Sequence, residues 1–141
     1  MISFDQLTGG DPEAISCVTQ WGDCLRAVDN IVDNETYNTE SILSATALNI
    51  RFCSHPFYRK HVNQLQFPAL IATGLWEVSV SWEKRDELWK RQWADVLRHA
   101  DVVFLGAVCL ICCGWERASE FYGTALSIAY IDHLDRHGPV K

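Results

Sequence analysis

Ile71-Ala72-Thr73-Gly74-Leu75-Trp76-Glu77-Val78-Ser79-Val80-Ser81-Trp82 is the stretch on which the fold class turns. From Trp76 to Trp82 apolar and polar residues alternate, the pattern of a half-buried strand. Yet Ile71, Leu75, Val78 and Trp82 are spaced 4, 3 and 4, which is a helical seam. No other part of the chain alternates with period two, so a strand here would have no partner. The helix reading prevails.

Working outward, helical periodicity accounts for the rest. Asp11 is an N-cap followed by Pro12 and Glu13 in a first turn. The helix they open carries a stripe of Ile15, Val18, Gly22, Leu25 and Val28, and frays near Asn34. A second starts at Thr36 or Thr39 and turns Ile42, Leu43, Ala47 and Ile50 inward, until His55-Pro56 stops it, because the residue before proline is pushed out of the α region. Pro56 opens a third, through Val62 and Leu65, which Pro68 kinks or splits before the opening seam. A fourth begins near Asp86 with Trp89, Trp93, Val96, Ala100, Val103 and Ala107. After a break at Gly114, a fifth carries Trp115, Phe121 or Tyr122, Ala125, Ile128 and Leu134 and ends at Gly138-Pro139. The expectation is an all-α, compact bundle of about five helices in one domain over residues 1–141, with 1–10 as an N-terminal arm.

Composition narrows the function classes. At 141 residues the chain can bury a core without metal or disulfide staples. Its 48% hydrophobic and 21% charged residues are those of neither a disordered nor a membrane protein. A net charge of −6 argues against direct nucleic-acid binding, which wants a basic stripe. The densest basic stretch, Lys84-Arg85 to Lys90-Arg91, is diluted by Asp86 and Glu87. The start has no basic n-region or apolar h-region. The most apolar run, Val102 to Cys113, is about twelve residues against the roughly 20 of a spanning helix, so it reads as a buried core helix. The expectation is a cytoplasmic protein with no membrane contact. Cys109, Cys112 and Cys113 lie inside that run and read as reduced core thiols rather than zinc ligands.

Several polar groups sit oddly for a plain bundle. Asp29 and Asp33 are one turn apart on one helix face, with Asp29 at the edge of the apolar stripe. Two such carboxylates want a cation, an arginine or a shared proton. As oxygen ligands they suit magnesium or manganese; the alternative is a frayed, solvated helix end. Glu116 and Glu120 repeat the spacing early in the fifth helix, where acidic residues are also favoured by the helix dipole. Asp95, four residues before His99, is placed to orient its imidazole as carboxylates do behind metal-bound or catalytic histidines; the alternative is a satisfied surface or boundary histidine. His133 and His137 share the spacing but sit where cations simply improve helix termination. His55-Pro56-Phe57-Tyr58-Arg59-Lys60-His61 is a corner whose His55 and Arg59 suit an anion. No GxGxxG, P-loop, HExxH, GxSxG or Cys-His signature is present.

Val28-Asp29-Asn30-Ile31-Val32-Asp33, His55-Pro56-Phe57-Tyr58 and Cys113-Gly114-Trp115-Glu116 after an apolar helix resemble a family of small tailed-bacteriophage proteins, over roughly residues 20 to 120. The chain departs from that pattern in having His55 before Pro-Phe and Cys113 before Gly-Trp. The resemblance implies a phage accessory protein acting in the host bacterial cytoplasm. The family has no assigned activity, so no catalytic residue carries over.

Three functions follow as expectations. The first is a non-catalytic module that holds a small charged molecule, a metal or a host protein on Asp29, Asp33, His99 and Glu116, with His55 and Arg59 for an anion. The second is a magnesium-dependent hydrolase or phosphate-processing enzyme using the same carboxylates and metal-activated water. The third is a homo-oligomer or host-factor binder whose tryptophans form the contact surface.

Overall fold

The computed structural model describes residues 3–33 and 38–138. All regular structure among them is helical: α1 (Phe4–Thr8), α2 (Pro12–Asp33), α3 (Thr39–Cys53), α4 (Pro56–Lys60), α5 (Val62–Glu83), α6 (Leu88–Leu97), α7 (Asp101–Cys113) and α8 (Trp115–His137). The fold is an all-α bundle. Its long units are α2, α3, α5, the α6–α7 pair and α8, the five expected from periodicity.

The helix ends follow local chemistry. Asp11 Oδ1 accepts from the amides of Glu13 (2.9 Å) and Ala14 (3.3 Å), capping α2 ahead of Pro12. Asn38 caps α3 by accepting from the Ser41 amide at 2.7 Å; Thr36, the other expected start, and Asn34 lie outside the described residues. Gly114 separates α7 from α8 at φ 84°, a conformation that disfavours any residue with a Cβ.

Two boundaries differ from the sequence reading. The third helix is not split at Pro68, which lies inside an unbroken α5. The interruption falls at His61, whose φ of −111° and ψ of 21° leave the helical region. Pro68 removes one amide donor, leaving the Gln64 carbonyl without that bond, and the rest of the ladder carries the helix through. Residues 4–8, expected within an N-terminal arm, form a capped helix. Ser3 and Gln6 make reciprocal side-chain to backbone bonds, and Leu7 is buried against the α7–α8 layer.

The buried faces are also rotated from the expected stripes. In α2 they comprise Ala14, Cys17, Val18, Trp21 and Cys24; in α5, Leu65, Ala69, Ala72 and Ser79. In α3, Ala45 and Phe52 are buried, while Ile42, Leu43 and Ile50 are exposed. Trp89, Trp93 and Val96 of α6 face outward, as does Trp115 of α8. Small side chains let helices approach closely: an added Cβ at Gly106 of α7 would stand 2.2 Å from the Tyr122 ring of α8.

The main core is aromatic. Trp21 of α2 stacks on Phe104 of α7 at 4.3 Å between ring centroids. Phe52 of α3 meets both rings, at 5.2 and 5.6 Å, and Tyr58 of α4 meets Phe52 at 4.7 Å. Leu88–Cys113, counted through the turn at 98–100, is long and apolar enough by length and composition to cross a membrane, with a mean hydropathy of 1.9 in its most apolar window. The twelve-residue count from sequence omitted α6. Within α7, Phe104, Gly106, Val108 and Cys109 are buried, whereas Leu110 is 44% exposed.

Phe104 has no solvent exposure and joins three helices through its ring. Phe104→Ala is expected to destabilise the fold by about 3–5 kcal/mol, as deletion of a core phenylalanine does. Urea denaturation checks this; a loss below ~1 kcal/mol would show that the ring is dispensable to the core.

Candidate binding cleft

The α2 and α5 helices each pack on α7, but their backbones make no close approach to one another. The gap between them is a cleft of about 380 Å³, a size that suits a small organic ligand. From α2 it takes Trp21, Leu25, Arg26, Asp29, Val32 and Asp33; from α5, Ala72, Trp76, Ser79, Val80 and Glu83; and from the α6–α7 turn, Arg98, His99 and Asp101. Each α2 contribution follows the helix period, so that Trp21, Leu25, Asp29 and Val32 descend one face.

Three of the six candidate ligand residues, Asp29, Asp33 and His99, therefore line one cleft. The other three lie apart from it. His55 is 6% exposed and caps α4: its Nδ1 accepts from the Phe57 amide at 3.2 Å, and its Nε2 stands 3.0 Å from Ser16 Oγ. Both ring nitrogens are occupied by structure, so His55 is a corner post and not an anion receptor. Arg59 is exposed on α4, and Glu116 is exposed in the first turn of α8, beyond the break at Gly114. A helix that restarts at Trp115 removes the geometry that would have turned Glu116 toward the cleft.

The cleft also holds charges that the sequence reading passed over. Arg98 donates to Glu83 at 2.6 Å, tying the end of α6 to the end of α5 at the mouth. His99 Nε2 stands 3.4 Å from Asp132 of α8, so the carboxylate beside it comes from α8 and not from Asp95. Asp95, expected to orient His99, sits 3.8 Å from His133 Nδ1 and 3.9 Å from both Arg98 and Arg136. His133, expected only to improve helix termination in the last turn, is 3% exposed, and the His137 side chain lies outside the described residues. Arg26 lies one turn before Asp29, a spacing that could have flagged it. His99 is legible through its spacing from Asp95, whereas no local spacing marks Arg98 or Asp101.

Electrostatically the cleft is acidic: four carboxylates face two guanidinium groups. Asp29 and Asp33 are both exposed, and partial burial of Asp29, then the Asp33 charge, then Glu83 raise its carboxyl above the ordinary range, against a lowering by Arg98. Asp101 is raised chiefly by burial, opposed by His99 and by backbone hydrogen bonds. Among the described residues no three His, Cys, Asp or Glu side chains are grouped as a metal site. Asp29 and Asp33 thus supply two oxygen donors for the expected magnesium or manganese, with no third grouped beside them among the described residues. The thiols stand apart from this chemistry. Burial pushes Cys17 up to about 12 and Cys109 and Cys112 up to about 11, which suppresses their thiolates.

In comparisons with known proteins, no protein family, no curated protein and no solved structure matches the chain.

The raised Asp29 carboxyl has a consequence for stability. The folded chain keeps this proton to a higher pH than the unfolded chain, whose carboxyl titrates near 3.8. Stability therefore falls as pH rises from the unfolded value through the folded one, and the penalty is complete above it. Asp29→Asn is expected to stabilise the protein at pH 7 by about 0.5 kcal/mol, the scale of a like-charge pair one turn apart. The gain should shrink as pH falls toward 3.8. Paired urea denaturation curves at pH 7 and pH 4 measure it, and an Asn variant less stable than the parent at pH 7 would contradict the repulsion.

Proposed function

We propose that the chain is a non-catalytic binding module that holds a small charged ligand in the α2–α5 cleft. The observation that carries this reading is the convergence of Asp29, Asp33 and His99, on α2 and the α6–α7 turn, around one volume of about 380 Å³. The mixed lining favours binding over simple solvation: indoles provide apolar area, while charged groups fix orientation. The tailed-phage resemblance and its cytoplasmic setting belong to the same proposal, as an accessory protein that retains a host molecule. A magnesium-dependent hydrolase is the alternative: it would use the same carboxylates, with water completing the ion's shell, and the described residues group no third ligand with them.

A second reading has its own support. Trp89, Trp93, Val96, Leu126 and Tyr130 are exposed along a groove of about 330 Å³ between α6 and α8. A contiguous apolar face with two tryptophans favours contact with a host protein or another copy of the chain.

Ligand-observed NMR of the full chain with a set of small anionic and cationic compounds tests the cleft. Val32→Trp, which fills the cleft from the last turns of α2, is the comparison. Contacts seen with the parent and lost with Val32→Trp are expected. Compounds that bind both proteins equally, or none that binds the parent, would remove the cleft from the account.

A further inference from the structure

We infer that the outward face of α5 is a homodimer surface, on which a second copy of the chain packs antiparallel about a two-fold axis between Leu70 and Ile71. This goes beyond the cleft and does not depend on it.

α5 packs on α6 and α7, and its inner side buries Leu65, Ala69 and Ala72. On the opposite side Phe67, Leu70, Ile71 and Gly74 recur at the i, i+3, i+4, i+7 spacing of one helix face. Phe67 is 72% exposed, Leu70 61% and Ile71 49%. No Asp, Glu, Lys or Arg occurs from Val62 to Trp76. The outer face of a solvated helix carries charge, whereas a helix that is apolar on every side is ordinarily covered on every side. Depletion of charge is also what marks the centre of a protein interface.

The same four residues are complementary to their own copy. A two-fold axis at right angles to α5, between Leu70 and Ile71, sets Leu70 opposite the partner's Ile71 and Phe67 opposite the partner's Gly74. Gly74 is exposed, and a Cβ added there would meet nothing within 4 Å. The Phe67 ring of each copy therefore enters a dent in the other helix, a knob in a hole made twice per dimer. A parallel pair would instead set ring against ring and dent against dent. Charge favours the antiparallel pair as well. Glu77 comes level with the partner's Gln64, four residues from Lys60. Glu77 and Lys60 are both exposed, and neither has an ion pair among the described residues. One helix pair covers less than the roughly 800 Å² per partner of a standard interface, so a dissociation constant of roughly 10–100 μM is expected.

Sedimentation equilibrium of the full chain from about 1 μM to about 300 μM, a range that brackets that constant, tests the inference. The average mass is expected to rise from 16.0 kDa toward twice that value. Gly74→Gln fills the dent without a clash inside the chain, and Phe67→Gln removes the knob; each is expected to weaken association about tenfold or more. Gly74→Gln should melt no lower than the parent at low concentration, since glutamine is a better helix former than glycine. Thermal melting checks that Phe67→Gln folds. A parent that stays at 16.0 kDa throughout would overturn the inference, and co-sedimentation of that monomer with phosphatidylcholine vesicles would give the face to a membrane instead. A dimer that either variant leaves unchanged would also overturn it, because the ring of Phe67 would then not be seated on the partner's Gly74.

Discussion

The stacking of Trp21 on Phe104 holds α2 against α7, and most of the remaining structure is arranged around that contact. Phe52 and Tyr58 extend it into α3 and α4, so four helices share one aromatic cluster. Ala69 and Ala72 bring α5 onto the same cluster. Because α2 and α5 are both fixed to α7 and not to one another, the space between them stays open. Trp21 thus has two duties: it joins the core to Phe104 and lines the cleft. Loss of the stack would loosen the wall and the core together.

Close packing and cleft formation share a cause. Ala, Cys and Gly at buried positions permit close helix approach, as Gly106 does against Tyr122. Several larger side chains on the same helices are left outside. Leu43 and Ile50 of α3, Phe67 and Leu70 of α5 and Trp93 of α6 are each more than half exposed. Of these only Trp93 lies in the groove between α6 and α8, which owes its apolar character to Trp89, Trp93, Leu126 and Tyr130. The cleft differs from that groove in kind, since its rim is charged and its carboxylates outnumber its guanidinium groups.

The sequence disclosed the helices better than their orientation. Asp11-Pro12, Asn38-Thr39, His55-Pro56 and Gly114 mark ends through local hydrogen bonding and backbone conformation, which act within a few residues. The seam Ile71, Leu75, Val78, Trp82 correctly indicates a helix but not its buried face, which runs through Ala69, Ala72 and Ser79. Periodicity weights large apolar residues, whereas α5 buries Ala69, Ala72 and Ser79 beside Leu65. Asp29 and Asp33 stood out because their spacing is local, and His99 because Asp95 lies four residues before it. Asp101, Arg98 and Glu83 become site residues only when α5 and the α6–α7 turn meet, a long-range fact that spacing does not encode. His55 misled for the opposite reason: its partner Ser16 lies thirty-nine residues away.

Native mass spectrometry of the chain, isolated gently from the cells that produce it, tests the central claim most directly. A module built to retain a small ligand should fly as the 16.0 kDa chain with an added mass of a few hundred daltons or less, released on collisional activation. The added mass should be missing from Val32→Trp. A parent chain of bare mass under the gentlest conditions, or an adduct kept equally by Val32→Trp, would contradict the claim that the α2–α5 cleft is the binding site.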